Sequence, residues 1–164
     1  MIPELHRPIV VERVGPAGYG VTIEASATEC AALARRMDLP GVLALRCDFH
    51  LERDAAGGVI ARGHLLARVV RTCVVSLEDF ATVVEERFTV RCVPEGAESE
   101  DDDPESLDEI TYADDTLDLG EAAAEQLALA LEPYPRAPGA MLPDLPDDVA
   151  ATPFAALEAL RRRH

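Results

Sequence analysis

From residue 42 to residue 93 the chain keeps a two-residue apolar period through three successive runs, and this pattern restricts the fold more than any other feature. In residues 42–53, Leu43, Leu45, Cys47, Phe49 and Leu51 fall on one side, with Arg46, Asp48, His50 and Glu52 on the other. That alternation belongs to a strand buried on one face. Asp54-Ala-Ala-Gly57-Gly58 reads as a hairpin turn. Residues 59–73 follow, with Leu65, Ala67, Val69, Arg71 and Cys73 on one face and Leu66, Arg68, Val70 and Thr72 on the other. Residues 77–93 are rich in Val, Phe and Thr, with Phe88, Val90 and Cys92 in phase. Three long strands with short links predict an antiparallel meander.

The flanks add smaller elements. Residues 9–14 and 19–24 surround the turn cluster Gly15-Pro-Ala-Gly18, which predicts a first hairpin. Ser26 and Glu29 form a capping-box pattern ahead of helix formers at 30–37, with Leu33 and Met37 one turn apart. Pro40-Gly41 ends that helix. Ile110-Thr-Tyr112 predicts a short edge strand. A second helix is expected over 121–131, capped by Asp118 with Glu121 three residues on, its apolar stripe being Ala124, Leu127, Ala128 and Leu131. Pro133-Tyr134-Pro135-Arg136-Ala137-Pro138-Gly139 should run extended, and a short helix is expected at 153–163. The expectation is one α+β domain over 1–164. It has an antiparallel sheet of five or six strands, with barrel-like closure left open, two main helices and an extended Pro-rich segment at 133–164.

Charge sharpens this picture. The formal net charge is −16, from 31 acids and 15 bases. Every base is Arg; without Lys there can be no Schiff-base lysine and no phosphate-loop lysine. Residues 1–94 hold 12 acids and 11 bases, whereas residues 95–118 hold 12 acids and no base. Residues 95–109 are therefore expected to be a mobile, disordered acidic loop, because like charges repel and few apolar groups oppose the entropy. Its Glu98, Glu100, Asp101, Asp102 and Asp103 are candidate contacts for a basic partner. The same charge argues against broad contact with nucleic acid phosphates or docking on an anionic membrane.

No stretch approaches the length of a membrane-spanning helix, and the first ten residues carry no apolar run, so a cytoplasmic protein is expected. Cys30, Cys47, Cys73 and Cys92 form no close pair and read as free, buried thiols rather than metal ligands. His6, His50, His64 and His164 have no metal-type spacing. Glycine-rich phosphate loops are absent, and the paired carboxylates fall in a run without preorganisation. The residues thus specify neither an enzyme, a metal nor a cofactor. Two other classes stay open. One is a small ligand-binding or hydrolase-like domain with a pocket lined by His50, His64 or Cys73. The other is an acidic inhibitor that mimics nucleic acid.

Two segments carry a family resemblance. One is Val69-Val-Arg-Thr-Cys73-Val-Val-Ser-Leu77-Glu-Asp-Phe80, followed by a strand and the acidic run. The other is Leu117-Asp-Leu-Gly-Glu121-Ala-Ala-Ala-Glu125-Gln126-Leu-Ala-Leu-Ala-Leu131-Glu-Pro133-Tyr-Pro135-Arg136. In this order, with the opening Arg7-Pro8-Ile9 strand and the early helix, the chain resembles the bacterial YceD family, named for accumulation of large-subunit ribosomal RNA. Many members carry C-x-x-C near Cys73; here Val70 stands at the first position, so any metal or redox role of that pair is lost. The resemblance implies a non-enzymatic role in large ribosomal subunit biogenesis, supporting 23S RNA accumulation. The charge directs that role through a basic ribosomal protein or a pre-ribosomal particle. Glu125, Gln126, Tyr134 and Arg136 are candidate partner contacts on the second helix and its Pro-rich extension. Alternatively, that helix docks its Leu face on the sheet and leaves Glu125 and Gln126 in solvent. Arg46, Arg68, Arg71 and Arg87 are candidate RNA-facing residues, unless they are solvated or paired.

Overall fold

A computed structural model describes residues 3–99 and 106–142. The expected helix at 153–163 and Glu100, Asp101, Asp102 and Asp103 lie outside the described residues. The elements run β1 (Pro8–Val10), β2 (Tyr19–Glu24), α1 (Ala27–Arg36), β3 (Gly41–Arg53), β4 (Val59–Thr72), β5 (Asp79–Pro94), β6 (Glu109–Tyr112), β7 (Thr116–Asp118) and α2 (Leu119–Ala130). This is the expected α+β class. The main sheet has the order β2-β3-β4-β5-β6 and is open, with β2 and β6 at its ends. β3, β4 and β5 form the antiparallel meander that the period-two runs foretold.

β6 returns parallel to β5, making the sheet mixed. The chain leaves β5 at Pro94 and re-enters beside Arg91, so it must cross back before pairing. The first hairpin does not form. Val11–Arg13 make a single 3₁₀ turn that carries the chain away. β1 pairs instead with β7 in a separate two-stranded sheet, and β2 pairs with β3. One face assignment also changes. The register shifts between Val42 and Ala44, so the bulge turns Leu43 outward, 50% exposed, while Val42 and Leu45 are both buried.

Both helices are capped by the expected residues, and α2 begins at Leu119, two residues before the expected start at 121. Ser26 Oγ accepts from the Glu29 amide, and the Glu29 carboxylate accepts from the Ser26 amide at 2.8 Å. Asp118 accepts from the amides of Gly120 and Glu121. Glu121 turns to Arg36, at 2.6 and 2.8 Å. α1 ends at Arg36 with Met37 as its C-cap, and Asp38, with a left-handed φ of 52°, turns the chain away before Pro40 is reached. α1 packs on β3 and α2 on β4 and β5, enclosing one core that includes Leu33, Leu45, Leu51, Leu65, Val69 and Leu127.

Within that core Phe49 and Phe88 meet edge to face, with centroids 5.7 Å apart at 77°. Gly63 lies between them in the register, opposite both. A Cβ there would stand 2.1 Å from Phe88 Cζ, so the ring lies over bare backbone. The four cysteines are buried and free. Burial pushes the thiols of Cys47 and Cys92 up to about 12.

Candidate functional site

The outward face of the sheet gathers many charges, yet most are matched. Arg46 pairs with Glu24 at 3.0 Å and with Asp48 at 2.9 Å. Arg62 and His50 both reach Glu52, and His64 reaches Glu85 at 2.8 Å. Arg91 bridges Asp54 and Glu109, at 2.8 and 3.0 Å. Arg68 and Arg87 have no carboxylate partner among the described residues and stand beside the exposed side chains of Leu66 and Val83. The result is a neutral mosaic rather than a basic stripe.

Arg71 does not join Arg46, Arg68 and Arg87. It sits three residues from Arg68, so the two-residue period puts it on the opposite face. There its guanidinium donates to the Glu132 carbonyl, and its Nε is buried with no hydrogen-bond partner among the described residues. A cavity of about 170 Å³ opens at this point, lined by Arg71, Phe80, Thr82, Val84, Pro135 and Arg136 among others. Neither the cavity nor the orphan Nε is visible in the sequence, where Arg71 is one Arg among many.

Cys73 starts a tight turn beside this cavity. Its Sγ accepts from the amides of Val75 and Ser76, both at 3.4 Å. Leu77 closes the turn with φ 60°. The Ala137 amide, followed by the Ser76 side chain and the two turn amides, lowers the thiol to about 6. The Val74 amide donates to the Pro135 carbonyl at 2.9 Å. The stretch after α2 is therefore non-helical, as expected, and strapped to the end of β4 and the Cys73 turn.

A second cavity, about 270 Å³, lies between β6 and α2. Glu109, Asp118, Glu121 and Glu125 line it together with Ile110 and Leu117. Asp118 is held by the Arg7 amide and His6, Glu121 by Arg36 and Glu109 by Arg91. Burial, then Glu121, raises the Glu125 carboxyl above its ordinary value. An apolar groove of about 400 Å³ lies elsewhere, between the start of α1 and the exposed Leu43 and Leu66. His50, His64 and Cys73 line none of these three cavities.

The remaining candidates separate. Glu98, Glu125, Tyr134 and Arg136 are exposed, but Gln126 is only 8% exposed and belongs to the packed side of α2. Ala128, expected in the apolar stripe, is exposed, and the buried side is set by Leu119, Ala122, Ala123, Ala124 and Leu127. Among the described residues no cluster of three or more His, Cys, Asp or Glu is placed to hold a metal ion. No helix among them is long and apolar enough to cross a membrane.

The fold and these surfaces define an acidic α+β protein built on an open mixed sheet, with four carboxylates lining a cavity between β6 and α2. Residues 61–161 match the family described as large ribosomal RNA subunit accumulation protein YceD, and the chain belongs to this family. Comparison with curated proteins and with solved structures gives no match.

Proposed function

We propose that this protein supports accumulation of 23S RNA during large ribosomal subunit biogenesis, non-enzymatically and in the cytoplasm, through a basic ribosomal protein or pre-ribosomal particle. The family membership supplies the ribosomal setting. The charge pattern supports the mode of action: the sequence holds twelve acids and no base over 95–118, and the Arg on the outward sheet face are mostly paired. Such a surface gains little from phosphates and much from Lys- and Arg-rich polypeptide. Sucrose-gradient profiling of a deletion strain tests the setting; a selective loss of free large subunits and of 23S RNA is expected. Normal profiles in the cold would remove it. Replacing the acids of 95–109 by Gly and Ser tests the mode, and unchanged partner recovery at low salt would remove that part alone.

A further inference from the structure

β5 is paired along all but its last two residues on one side and along only a quarter of its length on the other. Its register with β4 runs unbroken from Asp79 to Cys92. Its register with β6 covers only Arg91, Cys92, Val93 and Pro94. The Arg91 amide donates to Asp108 and the Glu95 amide receives no β4 partner but donates to Tyr112, so odd-numbered residues direct their backbone groups toward the β6 side. Alternation carries the same orientation to Ala81, Val83, Glu85, Arg87 and Thr89. Among the described residues no strand covers that edge. Nine residues in extended form span about 30 Å, which is a long edge for a protein to leave open.

One cavity adjoins this edge at its Phe80 end, and the other lies past its Thr89 end, beyond the Arg91–Glu109 pair. The smaller one lies under Phe80, Thr82 and Val84, with Ala130 on its far wall. The acidic one begins where β6 starts, with Glu125 on its helix side. Glu125 and Ala130 are five residues apart on α2, about 7.5 Å along the axis. A strand added to the edge would place alternate side chains over the first and its Thr89 end beside the second. Arg71 and Arg136 stand at the Phe80 end, so a docked segment should carry its positive charge at the Thr89 end. A second copy of this chain is a poor occupant. It would bring a net charge of −16 against −16, and Glu85-Glu86 lies mid-edge.

We infer that the free edge of β5, from Ala81 to Thr89, is a docking site for an extended basic segment of a partner protein, added as a strand, with Arg or Lys at the end nearest the acidic cavity. This deepens the proposed function and rests on its basic-partner reading. Strand addition draws affinity from main-chain hydrogen bonds and specificity from alternate side-chain pockets.

Hydrogen exchange and peptide titration on the full chain test it together. In the free protein the amides of 81, 83, 85, 87 and 89 should exchange fast while those of 82, 84, 86 and 88 stay protected. Uniform protection would overturn the proposal, whether the cover is another part of this chain or, by sedimentation, a second copy. A labelled twelve-residue peptide alternating Val and Arg should bind one to one and protect the odd amides; one alternating Val and Asp should not. Val83→Pro and Glu85→Pro remove outward donors without touching the β4 ladder, and each should weaken binding at least about tenfold with the melting transition kept. N-methylation of alternate peptide residues serves as the second arm should a variant fail to fold, and one of its two phases should abolish binding. Undiminished binding in the folded Pro variants, or to both N-methylated peptides, would overturn the site. Edge binding together with normal ribosome profiles would instead retire the ribosomal setting and leave the site standing.

Discussion

Gly63→Ala isolates the packing at the centre of the sheet. The added Cβ would lie 2.1, 2.4 and 2.6 Å from Phe88 Cζ, Cε1 and Cε2, so the ring must leave its place over the backbone. Overpacking of this kind costs about 1–3 kcal/mol. Displacing Phe88 also weakens its edge-to-face contact with Phe49, worth about 0.5–1.5 kcal/mol. Against this stands a gain of about 0.5–1 kcal/mol from replacing Gly in a strand interior. The net expectation is a loss of about 1–3 kcal/mol, read as a fall in Tm of about 2–4 °C per kcal/mol. Urea and thermal melts of Gly63→Ala, Phe88→Ala and the double variant complete a cycle. With the ring gone only the gain from replacing Gly remains, so the double variant should exceed Phe88→Ala in stability by about 0.5–1 kcal/mol and the coupling should exceed about 1 kcal/mol. Additive losses, or a Gly63→Ala protein as stable as the parent, would refute the reasoning.

Other expectations follow from the described contacts. Arg7, and then the Ser26 amide, hold the Glu29 carboxyl down at about 2 from an ordinary 4.5. Its stabilisation is thus complete above about pH 4.5 and lost as pH falls through 2. Glu29→Gln should cost about 1–2 kcal/mol at pH 7, discounted for a partly solvated pair, and almost nothing at pH 2, by urea melts at both. The Cys73 thiol, lowered to about 6 from 9.0, should stabilise the fold above pH 9 and lose that contribution as pH falls through 6. Thiolate absorbance should titrate near 6, and Cys73→Ala should flatten the stability profile between 6 and 9 and speed exchange of the Ala137 amide. In Gly120→Ala the Cβ would meet the Leu5 carbonyl oxygen at 2.3 Å and the Arg7 nitrogen at 3.0 Å. Backbone cannot swing aside as a ring can, so about 2–4 kcal/mol should be lost in denaturant melts.

The sequence carried the parts of this fold that depend on neighbours along the chain. Alternation assigned the buried sides of β3 and β4, and Ser26 and Asp118 marked both helix starts, because period and capping are local. What it could not carry was partnership. The run at 9–14 looks like half a hairpin, but nothing in it says that Ile9 will face Leu117. The bulge at Leu43 is a property of two strands in register, so the phase of one strand alone misplaces it. The parallel return of β6 depends on a crossover through an acidic run with no pattern of its own. Among site residues, the separation of Arg71 from Arg68 follows from counting by two, whereas the burial of Gln126 depends on what α2 packs against. Gly63 stands between Arg62 and His64 in the sequence, and its place between Phe49 and Phe88 is set only by the register.

The clasp between β1 and β7 bears on how the chain is made. The Arg7 amide donates to Asp118 at 2.8 Å, across 111 residues, and the Leu119 amide returns a bond to the Arg7 carbonyl at 3.1 Å. Synthesis proceeds from the N-terminus, and β2 to β5 can pair once Pro94 has emerged. β1 has no partner until Thr116–Asp118 follows it out, and closing so long a loop is slow. On a translating ribosome the first strand synthesised is the last to be paired, so a protease should cut the β1 segment of nascent chains up to residue 118 and spare it in completed ones.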